Sequence, residues 1–63
     1  MKVGDLVKPL RFHEEAQKQY GNGLVVRFIG RIRGEDAFAV YFIERDEEMD
    51  FFRGELGLVS ESR

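Results

Sequence analysis

The chain has no cysteine and no tryptophan, and only one histidine and one proline in 63 residues. Without cysteine it has neither the disulfide staples nor the thiolate ligands on which many small domains depend. A structural zinc site is excluded on the same ground, because His13 alone cannot complete one, and no metal or other cofactor is expected. Long apolar runs are also missing. No stretch approaches the ~20 residues needed to span a bilayer. Met1-Lys-Val-Gly-Asp5 has no apolar leader-like segment. The expectation is a cytoplasmic protein without membrane contact.

The groups that catalysis needs are scarce too. His13 is flanked by Phe12 and Glu14, and the two serines, Ser60 and Ser62, fall in a tail expected to fray. The many carboxylates fall mostly in segments expected to be exposed, where nothing would shift their pKa. Gly21-Asn22-Gly23 lacks the third glycine and the helix of a dinucleotide fingerprint. No catalytic residue is assigned, and a non-enzymatic role is expected.

What the chain does have is aromatic mass, six Phe and two Tyr, in a single domain spanning residues 1–63. A chain this short buries only about 60% of the surface its unfolded form exposes, so those rings must supply much of the core. Charge is unevenly distributed. Residues 1–33 hold seven Lys/Arg against three Asp/Glu, whereas residues 34–63 hold three against nine. Such an asymmetry either solvates a surface whose halves attract or steers a charged partner.

The stretch from Gly21 to Ile43 organises the rest. It reads as two strands, because side chains on a strand alternate between faces. In the first, Leu24, Val26, Phe28 and Ile32 occupy even positions, while Val25, Arg27, Ile29, Arg31 and Arg33 are odd. In the second, Phe38, Val40 and Phe42 are even, and Ala37, Ala39, Tyr41 and Ile43 are odd. The uncharged even faces are the expected core. Keeping both on one side requires a loop of odd length, Gly34-Glu35-Asp36, or a shorter loop with a compensating bulge. Gly30, in mid-strand, marks an expected bend or bulge.

Around this hairpin, Lys2–Leu10 reads as a short strand entered through a Gly4-Asp5 turn and limited by Pro9. Residues 12–20 are rich in helix formers. Phe12, Ala16 and Tyr20 fall on one stripe, and Glu14 and Lys18 form an i, i+4 pair, so a short helical excursion is expected. Glu44–Asp50 holds five acids in seven residues and reads as an exposed loop; it lacks the glycine and ligand spacing of a calcium loop. A short strand ending at Phe51 or Phe52, a tight turn at Arg53-Gly54-Glu55 and a last strand over Leu56–Val59 complete the pattern.

Val3-Gly-Asp-Leu-Val7, Gly21-x-Gly-Leu-Val-Val26, the aromatic strand Phe38–Phe42 and Phe51-x-x-x-Glu55-Leu56-x-Leu58-Val59 together resemble the SH3-like small β-barrels. The layout is similar to the small stromal subunit of photosystem I, the variable subunit of ferredoxin–thioredoxin reductase, and short phage and cyanobacterial proteins. The resemblance implies an all-β, five-stranded barrel acting as a docking or accessory module. The Phe12–Tyr20 insert and the acidic segment depart from the photosynthetic subunits, so their particular roles do not transfer.

Two binding surfaces are expected. One is a protein-binding groove using Tyr20, Tyr41 and Phe52, rimmed by Glu47 and Glu48. The outer face carrying Val25, Ile29, Tyr41 and Ile43 could add self-association. The alternative is single-stranded nucleic acid held on an Arg27, Arg31, Arg33 strip beside Tyr41.

Overall fold

The structure is a computed structural model that describes residues 1–60. The chain runs β1 (Leu6–Pro9), α1 (Glu14–Tyr20), β2 (Gly23–Ile32), β3 (Glu35–Phe42), β4 (Glu47–Phe52), a 3₁₀ turn (Arg53–Glu55) and β5 (Leu56–Ser60). All pairings are antiparallel, in the order β4-β3-β2-β1-β5. No helix among the described residues is long and apolar enough to cross a membrane. The expected fraying of Ser62 and its neighbours lies outside the described residues; Ser60 is the last residue of β5.

The expected barrel is not formed. No ladder joins β4 to β5 among the described residues, so the five strands make an open sheet with two free edges. The 3₁₀ turn separates the two edge strands. Glu55 accepts the Phe52 backbone N–H at 2.9 Å and its carbonyl accepts from Leu10 N at 2.8 Å, which directs the chain onto β1. All-β character with one short helix holds; the closed SH3-like architecture does not.

The β2–β3 register carries two irregularities. Val25 pairs with Val40 and Arg27 with Ala39, so Val26 is an extra residue. Phe28 pairs with Phe38 and Gly30 with Ala37, so Ile29 is a second. Each bulge flips the phase of the residues beyond it. Gly30 at φ 147° sits at the second bulge, as its place in the strand suggests. The connecting loop is the two-residue Arg33-Gly34, with φ of 52° and 84°, and Ile32 pairs with Glu35. Positive φ at both central positions is the requirement of a type I′ hairpin turn. The three-residue loop is therefore not formed; the shorter loop with a compensating bulge is, the Ile29 bulge bringing Phe28 opposite Phe38, and the Val26 bulge then puts Val25, not Val26, opposite Val40.

The phase changes also correct the core. The β3 assignment stands: Phe38, Val40 and Phe42 are buried. On β2, however, Val25 is fully buried, whereas Phe28 is 51% and Ile32 44% exposed, and Leu24 and Val26 are half-buried. Gly23 lies opposite Phe42, and a Cβ there would stand 2.3 Å from a Val40 methyl. The buried cluster is Val7, Val25, Phe38, Val40, Phe42, Phe51 and Leu56.

Phe12 and Tyr20, at the two ends of the α1 excursion, pack against this cluster together with Met1 and Met49. Phe12 lies 5.0 Å from Tyr20 and 5.8 Å from Phe51, and Tyr20 meets Phe42 edge-on at 5.2 Å. Seven residues of helix are too few to stand alone. Besides the rings, the helix is tied down by Gln17, whose amide donates to the Pro9 and Phe12 carbonyls at 3.1 Å. Glu14 and Lys18 do approach, at 4.0 Å, but on the exposed side where such pairs contribute little. At the other end, the expected strand over Lys2–Leu10 shortens to Leu6–Pro9. The preceding turn is fixed by the buried Asp5, whose carboxylate accepts from Lys2 N at 2.9 Å.

A candidate docking surface

The outer face of the sheet is the side away from α1. Cross-strand partners share a face, so the register places Ile32 with Glu35, Ala37 with Phe52, Arg27 and Ala39 with Asp50, and Tyr41 with Glu48 on this side. At one end of this face is a cleft of about 140 Å³, lined by Ile29, Ile32, Ala37, Phe52, Asp50, Phe51, Arg11 and Glu55. Ile29 (38% exposed) and Ile32 come from the hairpin arm; Phe28, also exposed, is on the other face, paired with Phe38 and meeting it edge-on at 5.4 Å. The small side chain of Ala37 leaves the cleft its depth.

The rim is charged but internally balanced. The Arg11 guanidinium lies 4.1 Å over the Phe51 ring and 3.1 Å from a Glu55 oxygen. The Phe52 N–H, then Arg11, hold the Glu55 carboxyl below its ordinary pKa. Such anchored groups make a fixed wall.

The sequence-derived partner residues divide between the two faces. Tyr20 is on the α1 side, half-buried against Phe42, with the Arg45 guanidinium 5.0 Å over its ring. Tyr41 is on the outer face and donates its hydroxyl proton to Asp46, which raises the Tyr41 pKa. Phe52 lines the cleft. A single groove holding Tyr20 with Tyr41 is therefore not formed. Glu47 and Glu48 lie on β4, because the loop is only Ile43–Asp46; the expected acidic loop over Glu44–Asp50 is half loop and half edge strand. Val25, being fully buried, drops out of the expected self-association face, while Ile29, Tyr41 and the exposed Ile43 stay at the surface.

The arginine strip is divided as well. Arg27 faces Ala39 and crosses it to reach Glu48 at 3.8 Å. Arg31 comes after the Ile29 bulge, faces Asp36 on the opposite side, and pairs with it at 3.5 Å. Arg33 occupies the hairpin turn. A regular strand would have aligned all three; the bulge prevents it.

No group of His, Asp or Glu among the described residues is arranged to hold a metal. A second hollow, about 280 Å³, lies between α1 and the β1–β2 side and is walled by Lys8, Glu14, Gln17, Lys18, Gly21 and Asn22. Its walls carry charges of both signs, which selects no ligand class. The sequence signal that could have found the outer cleft is Ile29-Gly30 followed by Arg33-Gly34, a bulge and a type I′ turn bracketing Ile32. Comparison with protein-family models, curated proteins and solved structures gives no match. The open sheet and this result together withdraw the resemblance to SH3-like barrels and to the phage and photosynthetic proteins named with it.

Proposed function

We propose that the protein is a non-enzymatic docking module that binds a protein partner through the outer cleft. The observation that carries this reading is the pair Ile29 and Ile32 on the hairpin arm, lining an apolar cleft with Ala37 and Phe52. These two large apolar side chains are each more than a third exposed, in a chain with little core to spare. Contiguous exposed apolar surface of this kind marks interaction sites more often than scattered single residues do. Fixed aromatic and charged walls, Phe51 under Arg11 and Arg11 against Glu55, suit a preformed site. The same reading places the module in the cytoplasm, where a domain built without disulfides works unimpaired.

Selecting a displayed random peptide library against the intact chain tests the reading. Selected peptides are expected to carry a large apolar anchor and to lose at least about tenfold in affinity for Ile29→Gln plus Ile32→Gln, with the fold retained by circular dichroism. Peptides that bind the double variant as well as the parent would overturn it. So would single-stranded DNA binding that falls steeply with salt and disappears in Arg27→Ala plus Arg31→Ala.

A further inference from the structure

The cleft opens beside the free edge of β4, and that edge has a defined chemistry. The Phe52 N–H is bonded to Glu55, not to β3. Hydrogen-bonding alternates along an antiparallel strand, so the N–H and C=O groups of Glu48 and Asp50 also face away from β3. Phe52 is already capped. Among the described residues Glu48 and Asp50 are left with unpaired backbone groups, while their side chains share the cleft's face with Phe52.

Charge narrows the occupant. Asp46, Glu47, Glu48 and Asp50 lie along this strand or at its start, and the neighbouring cation in sequence, Arg45, lies over Tyr20. Glu48 has Arg27 and Asp46 has Tyr41, but the side chains of Glu47 and Asp50 have no ion pair or hydrogen bond among the described residues. Acids on an edge strand ordinarily deter pairing. A second copy laid antiparallel on β4 would oppose carboxylates to carboxylates, which destabilises the pair. A basic strand meets the opposite field.

We propose that the free edge of β4 takes up an extended peptide with basic residues flanking one apolar side chain, which enters the cleft of Ile29, Ile32, Ala37 and Phe52. This rests on the docking reading and names its partner class. Main-chain hydrogen bonds to Glu48 and Asp50 hold the peptide, the cleft reads its anchor, and the acids read its flanks.

The test uses a fluorescein-labelled nonapeptide of alternating lysine and valine with a central phenylalanine, followed by anisotropy on the intact chain. Expected is saturable binding that weakens about three- to tenfold in Glu47→Gln plus Asp50→Asn at low salt. One of two alternate-residue backbone N-methylation patterns in the peptide should cost at least about tenfold, and the other little. Equal binding of a glutamate-for-lysine peptide, or indifference to both methylation patterns, overturns the edge proposal. If that binding is still lost in Ile29→Gln plus Ile32→Gln, the cleft reading survives. No binding up to millimolar peptide, or a dimer by light scattering that Asp50→Asn tightens, also overturns the edge proposal, and the library selection then judges the cleft independently.

Discussion

The two ends of the β2–β3 hairpin are made from the same kinds of residue and meet opposite fates. At the base, Val25, Val40 and Phe42 are fully buried, because Tyr20 and Phe12 of the α1 excursion close over them. At the arm, Phe28, Ile29 and Ile32 have no such cover and stay more than a third exposed. Apolar content alone thus does not define the core of this chain. What decides burial is which side of the two bulges a residue falls on and whether the α1 excursion reaches it. On the proposed reading, the base carries stability and the arm carries recognition.

If that division is right, the largest effect belongs to Phe42→Ala. Phe42 contacts Phe12, Tyr20 and Phe51, at ring separations of 6.3, 5.2 and 5.9 Å, and is fully buried. Its loss should cost about 3–5 kcal/mol, enough to unfold much of the population of so small a domain, as read by thermal or urea melts. Phe28→Ala at the arm should cost under about 1 kcal/mol. Equal losses would break the comparison.

Gly23→Ala comes next. Its Cβ would have to displace Val40, at 2.3 Å, and Phe42, at 3.0 Å, both in the densest part of the base. Overpacking there should cost about 1–3 kcal/mol, visible as a lowered melting temperature. A melting temperature unchanged from the parent would mean that the base is looser than the rings imply.

This position also shows what the sequence could and could not tell. The β3 alternation was legible because Phe38, Val40 and Phe42 are separated by small Ala39 and by Tyr41, whose hydroxyl favours the wet face. The Phe12–Ala16–Tyr20 stripe likewise foretold a helix, observed at Glu14–Tyr20. On β2, Leu24-Val25-Val26 contains no polar residue to mark the phase, so a strict two-residue period placed Val26 inside and Val25 outside. Bulges at Val26 and Ile29 then reversed the expectation for Ile32 and separated Arg27 from Arg31. The open edge was hidden for a related reason: Glu47–Asp50 reads as loop by charge, but its pairing with β3 makes it a strand. Phe52, named as a site residue from the sequence, lines the cleft, as does Ile32, which the sequence assigned to the core.

A smaller effect tests the wall of the cleft. Glu55 is depressed in pKa by the Phe52 N–H and by Arg11, so its folded value lies below the unfolded one. The contribution is therefore present above the unfolded carboxylate range, about pH 4.3, and fades as pH falls through the folded value. Glu55→Gln should melt within about 1 kcal/mol of the parent at pH 7 and lose part of the parent's decline below about pH 4.5. An identical acid limb in both proteins would show that Glu55 is not held as the geometry indicates.

The smallest effect on stability is expected where the effect on binding is greatest. Ile29→Gln plus Ile32→Gln replaces side chains that are 38% and 44% exposed, and neither residue belongs to the buried cluster. The melting midpoint should shift by no more than about 0.5 kcal/mol equivalent, and removing exposed apolar groups should raise solubility. A loss comparable to that of Gly23→Ala would show that the arm packs onto the base and that its side chains serve the fold. A neutral melt together with lost peptide binding separates the two ends of the hairpin, because the arm's apolar groups then contribute only when a partner covers them.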